Sequence, residues 1–325
     1  MQPEKNNQEI SYVGIDIAKI ELEVHCYDAE PKLPESVKNN RAEVKKLITK
    51  LKKLNSAHVV LEATGGYEKL PVRLLQEAGI PVSRITPSLA RNFARAKGLL
   101  AKTDKLDAKI LTDFGYQFSP KPTPKPDPLI EEIHALVKHR RHLSEALHRE
   151  RQQLEHEQPK SVELIANRTI KFLAKEIEKI TTKITELKEN DSELAAPCEL
   201  LTKTIGVGEL TAISLLVAMP EIGRLNRKQV ASLAGLAPVN RDSGQMRGKR
   251  TIYGGRKSVR QAIYMAALSA KTHNPILREY YANQVALGKP NKLALTAVMR
   301  KLLVHLNAQM KSYLEQQEEA NLAAL

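Results

Sequence analysis

Residues 119–128, SPKPTPKPDP, hold five prolines in ten positions. Each proline fixes φ and removes a backbone donor, so neither a helix nor a central strand can run through this stretch. It is a stiff, extended connector, and the hydrophobic pattern differs on its two sides. Before it, short apolar runs alternate with amphipathic segments, the signature of a sheet layered with helices. After it, apolar residues recur at helical spacing. The 325-residue chain therefore reads as α/β followed by α: one domain over 1–128, a helical linker over 129–195 and a mostly helical C-terminal domain over 196–325.

In the first part, residues 12–17 and 22–27 read as two strands joined by a tight turn. Asp16 lies between Ile15 and Ile17, and an acid in an apolar strand is costly unless paired or coordinated. Gly14 allows another backbone to come close. Residues 41–54 form an amphipathic helix. Residues 58–66, HVVLEATGG, form a buried strand with Glu62 at its carboxyl end, the edge where ligands gather in open α/β sheets. A helix over 67–78, a short strand over 80–85 and a basic helix over 88–98 follow. In KTDKLDAK, residues 102–109, Asp104 and Asp107 stand three apart on one face of a helix start. Taken alone, this is a solvated, mixed-charge first turn, with Lys102, Lys105 and Lys109 available to neutralise the acids. Together with Asp16 and Glu62, it is a four-carboxylate set for hard cations such as Mg²⁺, which bind carboxylate and phosphate oxygens. Two such ions can activate a nucleophile and stabilise a leaving oxygen on a phosphodiester.

The chain carries a net charge of +14, which points to a polyanionic partner. There is no apolar run long enough for a membrane span. The polar N-terminus has no signal-peptide pattern, and the isolated Cys26 and Cys198 fit a reducing, cytoplasmic setting. In the middle segment, Ile170, Leu173, Ile177, Ile180, Ile184 and Leu187 step 3-4-3-4-3. That is a heptad seam for a coiled coil and for dimerisation, or else two ordinary packed helices. Gly206-Val207-Gly208 lies between two apolar helical segments, like a helix-hairpin-helix whose backbone amides meet a phosphate. Residues 224–260 are rich in Gly and cations. They are expected to be a flexible loop region laid on a phosphate backbone, with Arg241, Arg247, Lys249, Arg250, Arg256, Lys257 and Arg260 as contacts. Helices resume over 258–271 and 291–315.

The strand Gly14-Ile15-Asp16, the turn Glu62-Ala63-Thr64-Gly65 and the helix Lys102-Thr103-Asp104-x-x-Asp107-Ala108 resemble the DEDD transposases, the one-ten family of insertion sequences and their Piv-type invertase relatives. So do Leu233-Ala234-Gly235-Leu236-Ala237-Pro238, Asp242-Ser243-Gly244 and Arg247-Gly248. The resemblance implies a RuvC-like, ribonuclease-H-type N-terminal domain, a coiled-coil middle and a C-terminal transposase domain. It further implies Asp16, Glu62, Asp104 and Asp107 as ligands of Mg²⁺ or Mn²⁺. Ser243 would be a nucleophile that joins DNA covalently, although a lone serine in a Gly-rich loop is ordinarily a turn residue. A dimer or tetramer with a site shared between subunits, and a structured noncoding bridge RNA that guides DNA choice, complete the expectation for a prokaryotic, nucleoid-associated enzyme. Two other readings stay open: a RuvC-like endonuclease that uses water in place of Ser243, and a non-catalytic nucleic-acid scaffold.

Overall fold

The computed structural model describes residues 10–27, 29–54, 56–99, 103–239, 242–243, 246–248 and 250–323. The chain divides into two compact units, Met1–Pro126 and Asp127–Leu325.

The first unit is built on a five-stranded mixed sheet: β1 (Ser11–Ile17), β2 (Glu21–Cys26), β3 (Ser36–Lys38), β4 (Ala57–Glu62) and β5 (Val82–Ile85). The spatial order is β3-β2-β1-β4-β5. β2 runs antiparallel to both its neighbours, while β1, β4 and β5 are mutually parallel. Side chains alternate across a strand, and here both faces are covered. Val13, Ile15, Ile17, Val59 and Leu61 face a core completed by Val44, Leu47 and Leu51 of α1 (Arg41–Leu51) and by Leu74 and Leu75 of α2 (Lys69–Glu77). Tyr12 and Val60 face the other side. There they meet Ala90 and Phe93 of α3 (Pro87–Ala96) and Ile110, Leu111 and Phe114 of α4 (Asp104–Phe118). The strand β3 escaped the sequence pattern, because two half-buried residues and one exposed lysine carry no alternation. The proline stretch is not idle: Thr123 donates its backbone amide to the Val82 carbonyl at 2.7 Å and its hydroxyl accepts from the Arg84 amide at 2.9 Å, tying the connector to β5.

The second unit opens with α5 (Pro128–Gln153) and α6 (Lys160–Glu189), which fold back on each other. The Arg140 Nε donates to Thr181 Oγ1 at 2.7 Å, a pairing that only an antiparallel hairpin across the short 154–159 link allows. This explains the arginine that interrupts the apolar stripe of α5. Ile133 and Ile184 are fully buried in the core of the C-terminal helices, so the hairpin base belongs to that compact unit. Farther out, Leu164, Ile165 and Phe172 are exposed. Then come α7 (Ser192–Thr202), α8 (Glu209–Ala218), α9 (Arg227–Leu233), α10 (Lys257–His273), α11 (Pro275–Ala286) and α12 (Asn291–Ala323). Leu201, Ile213, Val259, Ile263, Ala267, Leu302 and Leu306 form their core. Two short antiparallel ladders lie between α9 and α10. β6 (Pro238–Val239) pairs with β9 (Thr251–Ile252), and within that excursion β7 (Asp242–Ser243) pairs with β8 (Met246–Arg247).

The expectation of an unstructured cationic region over 224–260 is therefore corrected. Residues 227–233 are helical because Asn226 accepts from the amides of Lys228 and Gln229 while Gln229 returns a bond to the Asn226 amide, a capping box that satisfies helix-start donors. Among the described residues no helix is long and apolar enough to cross a membrane.

Candidate metal centre and nucleic-acid interface

Asp16 and Glu62 reach one place because their strands are parallel neighbours. Ile15 pairs with Leu61, so the next residue on each strand is an acid, on the sheet face that α3 and α4 cover. Helix α4 brings the other two. Thr103 caps it, accepting from the Leu106 amide at 3.3 Å, which starts the helix at Asp104 and sets Asp107 one turn on. The helix can lie against β1 only because residue 14 has no side chain: a Cβ there would stand 2.0 Å from the Ala108 carbonyl oxygen and 2.6 Å from the Thr112 nitrogen. Thr112 reinforces the contact, its hydroxyl accepting from the Gly14 amide at 3.0 Å.

The result is a cluster in which carboxylate oxygens of Asp16, Asp104 and Asp107 all lie within 4.8 Å of one another. Burial pushes the Asp16 carboxyl up to about 6, and the nearby charges of Asp107, Asp104 and Glu62 push the same way against a backbone hydrogen bond at Ile17. Gathered carboxylates whose burial and mutual repulsion raise the proton affinity of one of them fit a divalent cation, which would relieve the crowding of charge. The donor set is all oxygen, with no Cys or His in the cluster, which selects hard ions such as Mg²⁺ or Mn²⁺. The lysines of this helix start have other engagements: Lys105 pairs with Glu35 at 2.8 Å and Lys109 lies over the Tyr27 ring. Lys102 lies outside the described residues.

The four acids line a cavity of about 520 Å³ whose walls also carry Lys19, Arg91 and Arg95. Cations facing a carboxylate cluster across an open cavity suit a phosphodiester, which needs both a metal and counter-charges. Arg91 and Arg95 stood out in the sequence only as basic residues; their i, i+4 spacing on α3 was the signal that they share a face. Glu68 was missed altogether. Its carboxylate, 8% exposed, accepts from the amides of Thr64 at 3.2 Å and Gly66 at 2.8 Å and so fixes the glycine turn that follows Glu62.

In the second unit, Ser243 pairs with Met246, and Asp242 with Arg247, at the inner ladder. Arg241 and Lys249 lie outside the described residues. Arg250 and Lys257 are exposed. Arg256 grips the Glu221 carboxylate with two bonds of 2.6 Å and donates to the Ala218 carbonyl at 3.0 Å. Arg260 donates to the Gly254 carbonyl at 2.8 Å. These two arginines brace the glycine-rich segment against the helices. Gly206 has φ of +101°, and a Cβ there would strike Ala270 of α10 at 2.6 Å. Gly208 caps α8 in open space, and Glu209 in the first turn is paired with Lys188 at 2.8 Å.

Arg256 holds the Glu221 carboxyl below its usual range. A depressed acid contributes stability above its unfolded value, lost as pH falls through the folded one. Glu221→Gln should therefore lower stability by about 1 kcal/mol at pH 7, after discounting for the partial exposure of the pair. The difference should shrink below pH 4, as thermal unfolding at the two pH values will show.

A DEDD transposase family profile matches residues 13–157, spanning all four acids, and a second, described as the IS116/IS110/IS902 family transposase, matches residues 198–282, spanning Gly206, Ser243 and Arg260. Pilin gene-inverting proteins of Moraxella bovis and Moraxella lacunata are each 30% identical over 304 residues, covering 90% of this chain and 93% of theirs. The chain belongs to the IS110 family of transposases. An IS110 insertion-element protein of Streptomyces coelicolor is 32% identical over 114 residues, 34% of this chain and 28% of that one. As an IS110-family member the chain is a DNA-recombining enzyme, and its four acids and its serine fall inside the two matched segments.

Proposed function

We propose that the protein recombines DNA at specific sites by metal-dependent strand cleavage and rejoining, with Ser243 as the nucleophile. The observation that carries the metal half of this reading is the trio of carboxylates within 4.8 Å, with the proton affinity of Asp16 raised by burial and by the other acids. Asp16, Asp104 and Asp107, with Glu62 at the strand edge, would hold Mg²⁺ or Mn²⁺. Such an ion supplies Lewis-acid stabilisation of charge on the phosphate and leaving oxygens. Arg91 and Arg95 would hold the phosphate against that centre. The sheet order β3-β2-β1-β4-β5 with β2 reversed supports the RuvC-like, ribonuclease-H-type reading of the first unit.

In the reaction proposed, Ser243 Oγ forms a bond to phosphorus as one strand oxygen departs. The serine gives up its proton and the released strand oxygen takes one up. Attack by the hydroxyl of a second strand frees the serine and restores one phosphodiester for each one broken. Its place on the β7–β8 ladder, one register step from the Asp242–Arg247 pair, inside a cation-rich stretch of sequence, supports this role. The sequence beside Ser243 offers no His to serve as a triad base, so its activation would come from basic residues such as Arg247 and Arg260 or from the carboxylate centre of another subunit in a dimer or tetramer. The exposed Leu164, Ile165 and Phe172 on the hairpin of α5 and α6 support a coiled-coil contact between copies. The basic surface, Arg250 and Lys257 included, suits DNA and equally a structured guide RNA, in a cytoplasmic enzyme.

Incubation with Mg²⁺ and the cognate DNA ends should yield a protein–DNA adduct that survives denaturation and is lost in Ser243→Ala. Cleavage without an adduct, intact in Ser243→Ala but lost in Asp16→Asn, would replace this reading with a water-using nuclease.

A further inference from the structure

The second unit contains a groove of about 800 Å³ that shares no lining residue with the carboxylate centre. Its rim is cationic: Arg227 and Lys228 come from α9, Arg250 from just before β9, Lys289 from the link between α11 and α12, and Lys292, Arg300 and Lys301 from α12. Among the described residues that line it there is no carboxylate, and none of these cations forms an ion pair with a described acid. Its floor is apolar, with Leu236, Ile252, Leu293 and Val304. Leu293 is 51% exposed and Ile252 is 40% exposed. The wall holds the Tyr280 ring, with the Lys301 ammonium 4.3 Å from its centroid.

Seven cations with no acidic partner among the described residues, set around exposed apolar residues, select the occupant. A lipid or apolar peptide would leave the rim charges unmatched. A duplex would match them, but it keeps its base faces stacked inside and offers only backbone and groove edges, which leaves the apolar floor and the Tyr280 ring unmatched. An unpaired strand satisfies both parts, with phosphates on the rim and base faces on the floor and on Tyr280. We infer that this groove, built by α9, β9 and α12, holds an unpaired segment of DNA. Strand exchange generates such segments, so the inference rests on membership of a DNA-recombining family, but not on Ser243 or on the metal.

Binding of the full-length protein to a labelled oligodeoxythymidine, and to a blunt DNA duplex of equal length, tests this by fluorescence anisotropy across a salt series. The double variant Lys292→Ala/Arg300→Ala should bind the single strand about tenfold more weakly and reduce the salt slope by about 1.4, at about 0.7 per phosphate lost. Leu293→Ser should weaken single-strand binding roughly fivefold through lost base contact, leave the salt slope unchanged and leave duplex binding unchanged. All three positions are exposed, so the fold should persist, which circular dichroism will verify. The inference is overturned if Leu293→Ser leaves single-strand affinity unchanged, or if the double variant weakens duplex and single strand alike. Tighter binding of the matching oligoribonucleotide through these same residues would also overturn it, assigning the groove to RNA. None of these measurements requires catalysis, so loss of the Ser243 reading would leave the outcome interpretable.

Discussion

Asp16→Asn should abolish strand exchange and yet stabilise the metal-free protein at neutral pH. The cause of both effects is the same crowding of carboxylates. Asp16 titrates near 6 in the folded chain because it is buried and faces Asp107, Asp104 and Glu62, against an ordinary value of 3.8. A raised carboxyl contributes fully to stability only below its unfolded value, and that contribution is lost as pH rises through the folded one. At pH 4 the wild type and the variant should therefore unfold at nearly the same temperature. Between pH 4 and 6 the wild type falls behind. Above pH 6 the variant should be more stable by about 1–2 kcal/mol, the full shift being discounted because solvent reaches the cavity. Adding Mg²⁺ at pH 7.5 should raise the unfolding temperature of the wild type and not that of the variant, since a cation bound only by the native state stabilises it. Parallel pH profiles for the two proteins, in chelator, would remove the electrostatic account of this site.

The acids themselves were legible in the sequence, and the reason is physical. An aspartate inside Gly-Ile-Asp-Ile breaks the apolar period of a strand, and a glutamate just ahead of Ala-Thr-Gly-Gly sits where a parallel strand must end. Both violate a local rule, and such violations collect at functional sites. The partner of an arginine was not legible. Arg256 belongs to a cationic run, and nothing local shows that Glu221, 35 positions earlier, will take two of its donors. Arg256 and Arg260 thus looked like phosphate contacts and in the fold hold backbone and side-chain acceptors. Helix α9 was hidden for a related reason: its first turn, Arg227 and Lys228, belongs to the cationic, Gly-rich run, which masks the Asn226–Gln229 capping box beside it. The groove of α9, β9 and α12 lay beyond sequence reasoning because Lys292 and Arg300 join Arg227 and Arg250 only through tertiary packing. Glu68 was invisible because its role is to satisfy two amides of a turn whose conformation no pattern specifies.

Gly14→Ala should be the most damaging small change in the first unit. Gly14 has an ordinary backbone conformation, so conformational strain is not the reason. The added methyl would stand 2.0 Å from the Ala108 carbonyl oxygen and 2.7 Å from the Thr112 hydroxyl. The first obstacle is backbone of α4, which cannot rotate aside, so the helix must move off β1 as a body. That displacement opens the packing of Ile110, Leu111 and Phe114 on Tyr12 and Val60. A loss of about 3 kcal/mol or more is expected, at the upper end for overpacked cores. Asp104 and Asp107 travel with α4 while Asp16 stays with the sheet, so the trio separates and divalent affinity, read by calorimetry, should fall at least about tenfold, since 1 Å errors are felt at such sites. Thr112→Val separates the two consequences. It leaves the Gly14 amide without its hydroxyl acceptor and should lower stability by about 1–2 kcal/mol, but it adds no bulk between helix and strand and should keep divalent affinity within about threefold of wild type. If Gly14→Ala binds the cation as tightly as the wild type, the close approach of α4 to β1 is not what assembles the carboxylates. If Thr112→Val loses the cation as fully as Gly14→Ala, the hydrogen bond, and not the missing side chain, sets their spacing.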